Sequence, residues 1–204
     1  MLKFKTLLLT LGALCVAVSS SAFAQCETQD TQPIPLSPHG VQILQPKGAI
    51  KPNATWSVAA RAGDMVYVAG MRGFKPCTYE LVDGTENRIR QAFRNLKVVV
   101  ESEGATLRDV VLLNEYAQNM DNIRPLVNKI QAEPEFWGDG PYPPRIITQA
   151  QPNQNDVFEV QGIFYAPLSD AAKRRRGLPI KPITVGQGKN GIELSYVPVA
   201  SETP

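Results

Sequence analysis

The run PPRIITQAQPNQNDVFEVQGIFY, residues 143–165, constrains this chain more than any other segment. Two prolines disfavour helix at its start, and Pro152 with Asn153, Asn155 and Asp156 breaks its middle. What remains is two strand-length apolar runs rich in β-branched and aromatic residues, so the chain must build sheet here. Each run carries one charge. Arg145 opens the first, and Glu159 sits between Phe158 and Val160 in the second. A guanidinium cannot lose its proton in a protein and must find an anion, while an inward carboxylate needs a donor or a water. The pair is either a strand-end salt bridge or an anion site with an acid/base beside it.

Residues 1–24 read as a secretory signal peptide: Lys3 and Lys5 start it, Leu7 to Val18 form its apolar middle, and Ala22-Phe23-Ala24 fits the cleavage site. The apolar stretch is short for a membrane span, so the mature chain is expected to be exported, periplasmic or secreted, without a membrane anchor. Lipidation at Cys26 does not fit, because Gln25 rather than a small residue precedes it. The full chain has 21 Lys+Arg and 19 Asp+Glu; removing Lys3 and Lys5 leaves 19 of each, with no overall pull toward nucleic acid. Cys15 leaves with the signal, and Cys26 and Cys77 remain as a candidate disulfide contributing at most about 4 kcal/mol. No CxxC, Cys/His cluster, dinucleotide fingerprint or phosphate loop implies a metal or cofactor. His39 is the sole histidine, and it falls in a Pro-rich segment, which argues against histidine-based catalysis.

Residues 25–55, with Pro33, Pro35, Pro38, Pro46 and Pro52, predict an extended arm, and the domain is expected to begin at Trp56. Apolar runs at Ser57–Ala60 and Met65–Ala69 flank a turn at Gly63-Asp64. A helix opens at Thr85, with Ile89, Phe93, Leu96 and Val100 on one face and Arg88, Arg90, Arg94 and Lys97 on a solvated one. A strand at Val110–Ala117 precedes a second helix, capped by Asp121 or Asn122, with Pro125 in its first turn. Phe136 and Trp137 read as core in preference to a ligand wall. The order predicts an α+β domain over 56–166, both helices on one face of a mixed sheet. Beyond it, 167–204 is an extension in which Lys173-Arg174-Arg175-Arg176 reads as an exposed linker, and runs around Gly186–Gly191 suggest a hairpin.

From about Trp56 to Ala166 the chain resembles the Rid (YjgF) family of reactive-intermediate enamine/imine deaminases. The stretches are GDMVYVAG (63–70), FRNLKVVVESEG (93–104), LRDVV (107–111), PPRIITQA (143–150) and FEVQGIF (158–164), in family order. The resemblance implies a six-stranded mixed sheet backed by two helices (a chorismate-mutase-like fold) and a homotrimer with clefts between subunits. It implies that Arg145 grips a substrate carboxylate and that Glu159 places the attacking water, with Trp56 and Gly70 lining the site. The chain departs from the family where a serine precedes that glycine (here Ala69), where a tyrosine enters the site (Trp56), where Ser or Thr follows the arginine (Ile146), and at the second acid of the last strand (Gln161). The implied activity is cofactor-free hydrolysis of small 2-imino or 2-enamino acids outside the cytoplasm. The alternative is a non-catalytic module that binds a small carboxylate. Ribonuclease activity has only the 173–176 run in its favour.

Overall fold

The computed structural model describes residues 34, 35, 37, 39–76, 79–178 and, as backbone, 184–188 and 191–195. The predicted signal segment and the Cys26 and Cys77 pair lie outside the described residues.

Burial with period two builds the sheet. Along β7 (Phe158–Tyr165), Phe158, Val160 and Phe164 are buried, and Glu159, Gln161, Ile163 and Tyr165 alternate with them. Its neighbours β4 (Met65–Met71) and β5 (Val110–Ala117) set Val66 opposite Phe164 and Ala117 opposite Phe158, all buried. With β1 (Ile34–Pro35), β2 (Val41–Leu44), β3 (Ala59–Ala62) and β6 (Arg145–Gln149), the order is β1-β2-β3-β4-β7-β5-β6. β5 and β6 run parallel, and the other pairs are antiparallel. This is the expected six-stranded mixed sheet, with two-residue β1 added at its edge.

Helix α1 (Thr85–Ser102) buries the predicted Ile89, Phe93, Leu96 and Val100, together with Ala92, Asn95 and Val99. It packs on β4 and β7. Asn95 Nδ2 donates to the carbonyls of Arg72 (2.9 Å) and Phe74 (2.8 Å), fastening the exit of β4 to the helix. Helix α2 (Met120–Gln131) packs on β5, β6 and α1, so both helices cover one face. Phe93 meets Phe136 and Phe158 at 5.5 Å and Trp137 at 5.6 Å, which places Phe136 and Trp137 in the core. The cap of α2 is Asn119, extended and accepting the Asn122 amide, rather than Asp121 or Asn122. Pro125 is therefore the sixth helical residue, past the first turn, and Asp121 loses its i+4 donor.

The expected boundary at Trp56 moves. β2 pairs with β3, and Leu44, Ala49 and Ile50 are buried, so part of the Pro-rich arm belongs to the domain. Pro38 and Pro46 flank β2 without entering it, which leaves its amides free to pair. The basic run is helical rather than a linker, although Arg174 and Arg175 are exposed as expected. Ser169 caps α3 (Asp170–Arg175), Lys173 lies 3.5 Å from Asp64, and Arg176 Nη1 lies 2.6 Å from Glu103. The tail hairpin is present as β8 (Thr184–Gly188) and β9 (Gly191–Ser195), with its strands running into the glycine segment expected to be the turn.

Candidate functional site

Glu159 alternates with Phe158 and Val160 and therefore points away from the helices. A break in register between Val68 and Met71 brings Gly70 against it. A Cβ on Gly70 would stand 1.8 Å from Glu159 Oε1, so any other residue at this position displaces the carboxyl. Both line a cleft of about 260 Å³ with Trp56, Arg72, Phe74 and Asn153. Burial raises the Glu159 pKa; Arg72 pulls it down, and Asp156 adds a smaller upward push. A carboxyl held above the ordinary range keeps its proton to a higher pH than an exposed glutamate does and is the stronger base once ionised.

Arg145 occupies a different place. On β6 it stands opposite Leu113, and Ile147 stands opposite Glu115, so Arg145 shares the helix-side face of the sheet. Its Nη1 donates to Gln131 Oε1 (2.6 Å) and Glu115 Oε2 (3.3 Å), and its Nη2 donates to Asn128 Oδ1. Three of its five N–H donors are thus engaged, and among the described residues Nε and one on Nη2 have no acceptor. This edge borders a second cleft, of about 290 Å³, with Tyr142 and Pro143. Glu115 is fully buried and also accepts from Gln131 Nε2 at 2.7 Å. Burial pushes its pKa up to about 7, while Arg145 and Gln131 act to lower it.

Trp56, Gly70 and Glu159 therefore line one cleft, and Arg145 does not join them within the chain. Arg145 and Glu159 face opposite sides of the sheet, with β5 between their strands. Ala69 lines the Glu159 cleft, Gln161 shares that face, and Ile146 is exposed. Sequence reasoning overlooked Arg72, Glu115 and Gln131. Glu115 carried a signal, since period two puts it in line with Leu113 and Ala117, the inward residues of its strand. Arg72 had none: its place depends on the register break before it. Among the described residues, no group of three or more His, Cys, Asp or Glu could hold a metal.

Glu115 makes stability depend on pH. Its folded pKa of about 7 exceeds the ordinary 4.5, so the native state holds this proton more tightly than the unfolded chain. Its contribution is full below about 4.5 and is lost as pH rises to about 7, on the order of 3 kcal/mol. Urea unfolding at about pH 5 and about pH 8 should show the wild type losing stability that Glu115→Gln retains. Equal slopes for the two proteins would contradict the burial of an ionisable group here.

A family model described as Endoribonuclease L-PSP matches residues 46–163. A 2-iminobutanoate/2-iminopropanoate deaminase from Dermatophagoides farinae is 32% identical over 124 residues, covering 60% of this chain and 94% of the relative. A Rhodopseudomonas palustris structure described as a probable translation initiation inhibitor is 44% identical, with a TM-score of 0.60, covering 63% of this chain and 99% of that one. RidA from an Antarctic Psychrobacter is 30% identical, with a TM-score of 0.53, covering 58% of this chain and 94% of that one.

Proposed function

The chain belongs to the endoribonuclease L-PSP family, the Rid/YjgF proteins, and we propose that it hydrolyses small 2-imino or 2-enamino acids to 2-keto acids and ammonia. The observation that carries this reading is Glu159, a partly buried carboxyl with a raised pKa, set over Gly70 in a cleft of small-molecule size. Glu159 takes a proton from water as the water oxygen bonds to the imine carbon and the C=N electron pair moves to nitrogen. Glu159 returns that proton to the nitrogen to give the neutral carbinolamine; it then takes the hydroxyl proton as C=O forms and the C–N bond breaks, and passes it to the departing nitrogen, which leaves as ammonia. Imino acid and water give keto acid and ammonia, and no redox partner is needed. The name of the mite relative, a 2-iminobutanoate/2-iminopropanoate deaminase, supports this substrate class.

In this reading the free edge of Arg145 forks onto the substrate carboxylate. Because Arg145 and Glu159 face opposite sides of one sheet, Arg145 serves the Glu159 of another copy, and the working unit is a homo-oligomer, which we take to be a trimer. The exposed Tyr67, Tyr165, Val111 and Ile146 offer apolar surface for such contacts. Residues 1–24 are the basis for placing the activity outside the cytoplasm.

Short-chain 2-imino acids generated by an amino-acid oxidase, with semicarbazide as competing trap, test the reading. The mature protein is expected to speed keto-acid release. A folded protein that gives no acceleration would favour the second reading, non-catalytic binding of a small carboxylate, which is motivated by Ala69 in place of a hydroxyl in the cleft. Ribonucleolysis, suggested by the family's name, fits less well. Arg90 and Arg94 of α1 are held by Glu133 and Glu135 at 2.7 Å, and Arg176 by Glu103, so these cations are not a free stripe for phosphates.

A further inference from the structure

We propose that Arg72 is a second anion handle in the Glu159 cleft and that the chain prefers 2-imino and 2-keto acids whose side chain ends in another carboxylate. The inference deepens the deaminase reading and rests on it for the orientation of the ligand.

Arg72 follows β4 directly and lines the cleft. Its guanidinium lies 4.6 Å over the Phe74 ring, and its Nη1 donates to the Asn153 carbonyl at 2.6 Å. Stacking on one face and one in-plane bond fix the group and leave its other donors directed sideways. Glu159 does not satisfy them, because Nε lies 3.9 Å from Oε2, beyond hydrogen-bond reach. Among the described residues, Nε, both Nη2 donors and one on Nη1 have no acceptor, although the side chain is only 13% exposed. These nitrogens are not sealed from solvent, and a carboxylate entering the cleft would pair with two of them at once on the open planar fork.

An aliphatic imino acid cannot supply that group. It brings one carboxylate, which the proposed mechanism gives to Arg145, and its alkyl end would enter the cleft while leaving the Arg72 donors unpaired. A ligand with a terminal carboxylate pairs both arginines and leaves Glu159 between them free to work on water. Sites built to hydrogen-bond a ligand group discriminate strongly against ligands that lack it. The competing account is structural: Arg72 would only tie the exit of β4 to the turn at Asn153–Asn155.

Calorimetric binding of 2-oxoglutarate, oxaloacetate and 2-oxobutanoate to the full mature protein separates these accounts. The dicarboxylates are expected to bind about 10- to 100-fold tighter than 2-oxobutanoate. Arg72→Met should bring that ratio near one, and Arg72→Lys should restore part of it. A structural role would weaken all three ligands alike. That result, or equal affinities in the wild type, overturns the inference. Keto-acid release measured alongside keeps the two proposals apart. Absence of catalysis on every imine sinks the deaminase reading, while the binding ratio still decides the role of Arg72; failure to bind any of the three acids sinks both.

Discussion

Glu103→Ala is expected to destabilise the fold by about 3–5 kcal/mol, lowering the melting temperature by on the order of 10 °C. Glu103 Oε2 accepts from Arg61 Nε at 2.7 Å and from Arg176 Nη1 at 2.6 Å. Arg61 is fully buried in β3, donates to the carbonyls of Ala166 (2.6 Å) and Gly63 (3.1 Å), and already has one nitrogen, Nη2, without a partner among the described residues. Removing the carboxylate leaves a cation in the interior with only carbonyl dipoles to hold it, and the cost is chiefly that uncompensated charge. Arg176, at 18% exposure, can turn to water when its partner is lost, so Arg176→Ala should cost about 1 kcal/mol or less. Urea unfolding distinguishes the two. Equal, small losses would mean that Arg61 is hydrated in solution and that the tail is not fastened through this triad.

That triad shows where sequence reading stops. Arg61 sits in an apolar run and Glu103 at the end of a helix, 42 residues apart, and nothing in local pattern pairs them. The elements themselves were legible because their signals are local. Spacing of three to four marked α1, the predicted bounds of β5 were those observed, and Gly63, with φ 59°, marked the turn between Ala62 and Met65. β2 was hidden because four residues between two prolines carry too short an alternation to outweigh composition. The candidate site was half legible for a related reason. Residue type and family order singled out Arg145 and Glu159 as candidates, and the fold places Trp56 and Gly70 in the cleft of Glu159. The face to which each charge points depends on register across β5, a relation between three strands that no single stretch encodes.

Glu159→Gln is expected to lower kcat/KM for imine hydrolysis by about 10²–10⁴-fold with no loss of keto-acid binding. Glutamine keeps the size that fits over Gly70 and still accepts a hydrogen bond from water, but it cannot take the proton. The substitution also removes a negative charge 3.9 Å from Arg72, so the affinity for an anionic product should rise, not fall. In the wild type, burial holds the Glu159 pKa above the ordinary carboxylate range, so the rate should climb with pH as the base ionises, at a pH higher than an exposed glutamate would require. The residual rate of Glu159→Gln should lack that rise. Activity retained in the variant would remove Glu159 as the base, and an equal loss of binding and rate would make it a structural group. Unchanged or stronger binding with the rate gone, and the pH limb gone with it, is the combination that only proton transfer at this carboxyl produces.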